Sequence, residues 1–245
     1  MIEKILNKIR FKTKRNKNPY PIDMESEFIE FYNLSKAYTM TSIERMYAAY
    51  KAVDYIESNN IEGDIVECGV WRGGSTMVMA YKLLKLNSTQ RNLYLYDTFE
   101  GMSDPSEDDI DIGGVHSSQL LKKANKIEGN NIWCYASLDE VKKNIDSTGY
   151  PVNKINYIKG KVEETIPNKM PQKIAILRLD TDWYESTKHE LINLFPLLST
   201  NGIIIIDDYG HWKGSRKAVD EYFASHNIKI FLNRIDYTGR IGVKL

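Results

Sequence analysis

The sequence predicts an α/β fold: a mostly parallel sheet with one antiparallel strand and helices on both faces. Three observations carry this expectation. Apolar runs rich in β-branched residues, Ile174-Ala175-Ile176-Leu177-Arg178-Leu179 and Gly202-Ile203-Ile204-Ile205-Ile206, read as strands buried on both faces. Such runs alternate with helix-period segments from residue 63 onward, the pattern of strand–helix–strand crossovers. The chain then closes with two strand-like runs, 228–235 and 240–245, joined by Asp236-Tyr237-Thr238-Gly239 as in a hairpin, which reverses one strand.

Each element has its own signal. Residues 25–59 read as helical, with Thr41-Ser42-Ile43-Glu44 as an N-terminus and Met46, Ala49, Tyr50 and Val53 on one apolar face. Gly63-Asp64 turns the chain into a first strand, 65–68. A glycine-rich turn and a helix from about Thr76 to Leu86 follow. The second strand is 93–96, ending at Asp97, and 98–115 reads as a solvated loop with an acidic middle. Ser137-Leu138-Asp139-Glu140 has capping-box spacing and opens another helix. The third strand is 155–158 and the fourth runs to Leu179. The next helix carries Leu191, Leu194, Phe195 and Leu198 on one face, and Pro196 predicts its kink or early end by removing an amide donor. Gly202 leads into the fifth strand, and a helix near 214–225 follows.

At 245 residues, 42% of them hydrophobic, the chain can fill one sizeable core. The division expected is a basic arm over 1–24 and one domain over 25–245, its first helices (25–59) forming a cap or lid. No apolar run is long enough to span a bilayer, and the first residues lack the apolar block of a secretory signal. Two cysteines, Cys68 and Cys134, make neither a disulfide framework nor a zinc site, so the expected compartment is the cytoplasm. Net charge is zero, yet residues 1–18 carry seven basic side chains against one acid. The arm's Ile2, Ile5, Leu6 and Ile9 have helical spacing, and a basic amphipathic helix can make peripheral contact with an anionic membrane. A frayed terminus or a contact in a homo-oligomer is the preferred reading. The rest of the chain is acidic without aromatic–basic interleaving, which argues against nucleic acid.

Two acidic runs end the strongest strands: Asp180-Thr181-Asp182 and Asp207-Asp208. Ligands of open α/β sheets bind beyond such carboxyl ends. Carboxylates gathered there repel one another unless a cation joins them, and oxygen-only ligands suit Mg²⁺ before Ca²⁺ or Mn²⁺. A polar strand end and a helix cap explain one such pair alone; two at matching positions point to metal.

Glu67-Cys68-Gly69-Val70-Trp71-Arg72-Gly73-Gly74-Ser75-Thr76 is a strand-to-helix turn in which glycine lets the backbone approach a ligand. Its G-x-x-x-G-G spacing departs from the G-x-G-x-x-G of dinucleotide sites. Glu67 would repel a phosphate but suits an amino group, and Asp97 is placed to accept from ribose hydroxyls. An ammonium and a ribose without phosphate describe S-adenosylmethionine.

The segments VECGVWRGGST, LYDTFEGM, LRLDTDWYEST and IIIDDYGHWKGSRKAVDEY resemble the macrocin O-methyltransferase family, from about Tyr38 to the C-terminus. VECGVWRGGS is more distantly similar to the motif of catechol O-methyltransferase. The resemblance implies a Rossmann-like, seven-strand class I methyltransferase sheet and a Mg²⁺-dependent enzyme acting on sugar hydroxyls. It implies a donor pocket of Glu67, Gly69, Trp71, Ser75, Asp97, Thr98, Val162, Glu163 and Asp180, with Asp97 at the ribose and the Gly160–Glu163 turn beside adenine. It makes Asp180, Asp207 and Asp208 the metal ligands, with Asp182 in support.

Methylating an alcohol requires its oxygen to gain alkoxide character, and a base within reach must take the proton. Asp180 is the first candidate, with His211 and His116 as rivals. The expected acceptor is a sugar: a deoxysugar, a nucleotide sugar, a surface glycan or a glycosylated natural product. Alternatives are another vicinal diol such as a catechol, a nucleotide-binding oxidoreductase, which the glycine spacing and Glu67 disfavour, and a silent binding protein, which the intact acid set disfavours.

Overall fold

The structure is a computed structural model and describes residues 19–245; the expectations for the arm over 1–18 lie outside the described residues. The helical stretch before the sheet is broken, not continuous. Helix α1 spans Ser26–Ser35, a 3-10 turn follows over Lys36–Tyr38, and α2 spans Ile43–Ser58. The break falls before Ser42, whose hydroxyl caps α2 by accepting from the Arg45 amide at 3.2 Å.

Strands β1 (Asp64–Cys68), β2 (Leu93–Asp97), β3 (Ile155–Lys159), β4 (Ile174–Leu179) and β5 (Leu198–Ile206) are parallel. Strand β7 (Arg240–Val243) runs antiparallel to both β5 and the two-residue β6 (Asn233–Arg234). The order β3-β2-β1-β4-β5-β7-β6 confirms the seven-strand sheet with a single reversed member. It also places the reversal of strand order between β1 and β4, where open sheets bind ligands.

Between the strands lie α3 (Gly74–Lys85), α4 (Ser117–Lys123), α5 (Leu138–Asp146), α6 (Val162–Thr165), α7 (Tyr184–Leu194) and α8 (Lys213–Ser225). Helix α4 was not anticipated. Helix α7 ends at Leu194 and passes into a 3-10 turn containing Pro196, the early end that proline imposes. The first hairpin strand is far shorter than expected, since only Asn233 and Arg234 pair with β7.

Side-chain alternation divides the core. Val66, Cys68, Leu177, Leu179, Ile204 and Ile206 pack toward α7 and α8, against Leu191, Leu194, Val219 and Phe223. Ile65, Leu93, Leu95, Ile176, Ile203 and Ile205 pack toward α2, α3 and α5, against Val53, Ile56, Met79, Leu83, Val141 and Ile145. Among the described residues, no helix is long and apolar enough to cross a membrane.

Candidate active site

Strand period 2 decides which polar residues meet. Glu67 lies between Val66 and Cys68 and so points to the α2–α3 face. Its register partner on β4 is Arg178, whose own partner on β5 is Ile205 of the same face. Two residues further on, Asp180 and Asp207 keep that side. Arg178 is thereby enclosed by three carboxylates. Its Nη1 donates to Glu67 Oε1 and to Asp180 Oδ2, each at 2.7 Å, and its Nη2 donates to Asp207 Oδ1 at 2.6 Å. Arg45 of α2 reaches the other oxygen of Asp207 and also donates to Asp236 Oδ2 at 2.9 Å. Burial alone would lower the basicity of Arg178, but Asp180, Asp207 and Glu67 outweigh it and raise its pKa.

A cavity of about 470 Å³ opens over these strand ends. On its β1–β2 side, Gly69 adopts φ +82°, and a Cβ there would lie 1.9 Å from the Asp180 carbonyl oxygen. The glycine is required because the ends of β1 and β4 touch. Asp97, expected at the ribose, accepts from the amides of Val70 (2.7 Å), Trp71 (2.9 Å) and Phe99 (2.7 Å) and so fastens the turn beside it. Thr98 closes its own turn by donating to the Gly101 carbonyl at 2.6 Å. Glu67 takes the Thr76 hydroxyl on its second oxygen, and burial raises its pKa against the pull of Arg178. Trp71, Ser75, Thr98, Val162 and Glu163 line the same cavity, as do Glu67, Gly69, Asp97 and Asp180. Trp71 Nε1 is buried without a hydrogen-bond partner among the described residues.

On the β4–β5 side, one oxygen each from Asp180, Asp207 and Asp208 lies within 4.8 Å of the others. Asp182, at φ +67°, hydrogen-bonds Asp208 and is pushed up to about 7 by burial. Burial, then the charge of Asp182, raises Asp208 as well, and burial raises Asp180 against Arg178. Asp208 Oδ2 is buried and has no hydrogen-bond partner among the described residues. An orphaned oxygen in an all-carboxylate cluster is a donor set that could hold a hard divalent cation. Asp207 is the member most committed elsewhere, both of its oxygens being held by arginine.

The histidines separate. His211 lines the cavity, packs edge-on against Trp212, and is shifted toward the neutral form by burial. His116 does not line it: it caps α4, with Nδ1 accepting from the Ser118 amide. The geometry thus corrects its candidacy as a base, because the ring is committed to a helix end. Trp183 and Tyr184 are also structural: Trp183 packs on Trp212 and donates to the Ser103 carbonyl at 3.0 Å. The acidic loop is anchored rather than solvated. Asp109 is fully buried and accepts the first amide of α7, from Tyr184, at 2.7 Å. Residues missed from sequence include Arg178, Arg45 and Trp212. For Arg178 a signal existed, a lone charge inside an apolar strand, which must be paired to be buried.

The family model of macrocin-O-methyltransferase matches residues 11–241, reaching further into the arm than the motifs did. A tetracenomycin-rhamnosyl 4'-O-methyltransferase of Streptomyces olivaceus is 32% identical over 205 residues, 84% of this chain and 75% of that protein. Demethyldecarbamoylnovobiocin O-methyltransferase of Streptomyces niveus matches at 32% with the same coverage. The solved structure of the O-methyltransferase NovP superposes with a TM-score of 0.75 at 32% identity, over 84% of this chain and 82% of that one. The chain therefore belongs to the macrocin O-methyltransferase family and is an O-methyltransferase built on the class I sheet.

Proposed function

We propose that the protein moves a methyl group from S-adenosylmethionine to a hydroxyl of a sugar, with Mg²⁺ or a similar cation at Asp180, Asp207 and Asp208. The observation that carries this reading is the meeting of two unlike halves in one cavity. Glu67 and Asp97 offer acceptors to an amino group and a ribose, and the aspartate cluster lies across Arg178 from them. The rhamnosyl group in the substrate of the Streptomyces olivaceus relative supports a glycosidic acceptor.

The donor supplies a methyl on sulfonium, and a divalent cation between the carboxylates would lower the pKa of a nearby hydroxyl. The chain's own residues do the rest. The Gly69 turn lets backbone approach the donor, and Trp71 and Val162 wall its pocket. Asp180 leaves Oδ1 without a protein partner among the described residues and takes the hydroxyl proton there. Orientation of donor and acceptor in one enclosed site contributes much of the acceleration. The domain plan expected from sequence stands as part of this proposal, with the α1–α2 segment and the anchored acidic loop forming walls over the acceptor.

The test is incubation with labelled S-adenosylmethionine and a panel of nucleotide-linked, glycan-linked and aglycone-linked sugars, with and without EDTA. Label transfer to one acceptor class that EDTA abolishes and Mg²⁺ restores is expected. Transfer undiminished by chelator would overturn the metal role, and transfer to catechols alone would overturn the sugar.

A further inference from the structure

We propose that Arg178 is a positioning residue that makes the donor pocket and the aspartate cluster one charge-coupled unit, so that cation and donor weaken each other's binding. The inference rests on the functional reading above and deepens it. One guanidinium divides itself among three carboxylates of different duty. Nη1 is shared between Glu67, which faces the donor, and Asp180, and Nη2 holds Asp207. Arg178 is 2% exposed and Glu67 1% exposed, so water cannot replace a partner that turns away. Among the described residues, the other side-chain donors to Arg178's acids are Arg45, at Asp207, and Thr76, at Glu67.

The consequence follows from sharing. When Asp180 and Asp207 turn toward a divalent cation, Arg178 is left with Glu67 and cancels the charge that a donor ammonium would use. When an ammonium occupies Glu67, Arg178 commits to Asp180 and Asp207 and makes them poorer ligands. By linkage the two effects are equal in size. The register explains why the device is built in: Glu67 and Arg178 are cross-strand neighbours, and Asp180 and Asp207 lie two residues beyond Arg178 and its β5 partner. A long cationic side chain at 178 therefore reaches both halves.

The experiment is calorimetry of S-adenosylhomocysteine, which keeps the ammonium, with the full chain in the presence and absence of saturating Mn²⁺. The reciprocal titration of Mn²⁺ is made with and without S-adenosylhomocysteine. Wild type is expected to bind each ligand about fivefold more weakly when the other is present, within the usual span of coupling energies. In Arg178→Gln, still folded by circular dichroism, that ratio falls to about one while both ligands bind. Arg178→Lys keeps the charge but not the fork, and restores part of the coupling. Independent binding of the two ligands in wild type, or coupling undiminished in Arg178→Gln, overturns the inference and leaves the functional reading standing. Absence of Mn²⁺ or S-adenosylhomocysteine binding to wild type overturns both. If Arg178→Gln does not fold, wild type and Arg178→Lys decide: equal coupling in the two overturns the inference.

Discussion

At the residue scale, Asp180 combines a tie to Arg178, a place in the aspartate cluster and a free oxygen toward the cavity. Asp180→Asn is expected to lower kcat by about 10²- to 10⁴-fold, the usual worth of a general base. S-adenosylhomocysteine should still bind, weakened by no more than about fivefold, because Glu67 and the glycine turn remain while Arg178, with one carboxylate fewer, leans harder on Glu67. His211→Gln should keep most activity; if it reproduces the Asp180→Asn loss in kcat, the proton belongs to His211. A second prediction concerns backbone. Gly69→Ala places a Cβ 1.9 Å from the Asp180 carbonyl oxygen, while Gly149→Ala, at a similar φ of +81°, meets nothing within 4 Å. Urea unfolding should show a loss of about 3 kcal/mol or more for Gly69→Ala and about 1 kcal/mol for Gly149→Ala. The acids were legible in the sequence because strand ends are legible. Arg178 was visible as a misplaced charge, but its partners were not, since register across strands is set by tertiary packing. Asp109 was misjudged for the same reason: only the fold brings the α7 amide to it.

At the scale of elements, helix starts were legible where a hydroxyl caps them, as at Ser42 and at Ser137, which accepts from the Glu140 amide at 3.3 Å. Helix α4 is hidden in the sequence because a histidine caps it, and β6 is shorter than the pattern predicts because Ile228, Ile230 and Leu232 pack on the core without pairing. The three helices preceding β2 are joined by one buried cation. Lys82 of α3 donates to Glu27 of α1 at 2.9 Å and pairs with Asp54 of α2 at 2.8 Å. The hydrogen bond from Lys82, against the opposing effect of burial, holds Glu27 below its usual pKa. Asp54, Glu27 and Tyr50 raise Lys82 against burial. The signs follow. Stability from Glu27 is fully present above its unfolded pKa near 4.5 and is lost as pH falls through the lower folded value. Stability from Lys82 is lost only as pH rises through its raised folded value. Lys82→Met should therefore cost about 2 kcal/mol at neutral pH, measured by thermal unfolding. The gap to wild type should narrow as pH falls from 4.5 through the lower folded value of Glu27 and that carboxylate protonates. A gap unchanged down to pH 3 would mean that Lys82 acts through packing alone.

For the whole molecule, the parallel order places Glu67 and Asp97 at the ends of β1 and β2 and the aspartate cluster beyond β4 and β5, at the point where strand order reverses. Strand–helix alternation made that sheet legible in advance, but the arginines that neutralise its tips come from β4 and from the cap, so the balance of charge is a property of the assembled fold. Five acids, Glu67, Asp180, Asp182, Asp207 and Asp208, face two guanidinium groups, Arg45 and Arg178. Burial favours the neutral forms of Asp182 and Asp208, which relieves part of the excess. A ligand that binds only the folded state stabilises it by about 2.7 kcal/mol at a hundred times its Kd, and for a chain of this size each kcal/mol raises Tm by roughly 2–4 °C. Mg²⁺ at that level should thus raise Tm by roughly 5–10 °C, and EDTA should return it to the apo value. Asp208→Asn is the informative variant, because it neutralises the carboxylate that carries the orphaned Oδ2 and makes no contact with Arg178. It should lose the Mg²⁺ shift while keeping the shift produced by S-adenosylhomocysteine, and its own apo Tm should match or exceed wild type, since one buried repulsion is gone. A Mg²⁺ shift that survives in Asp208→Asn would place the cation elsewhere.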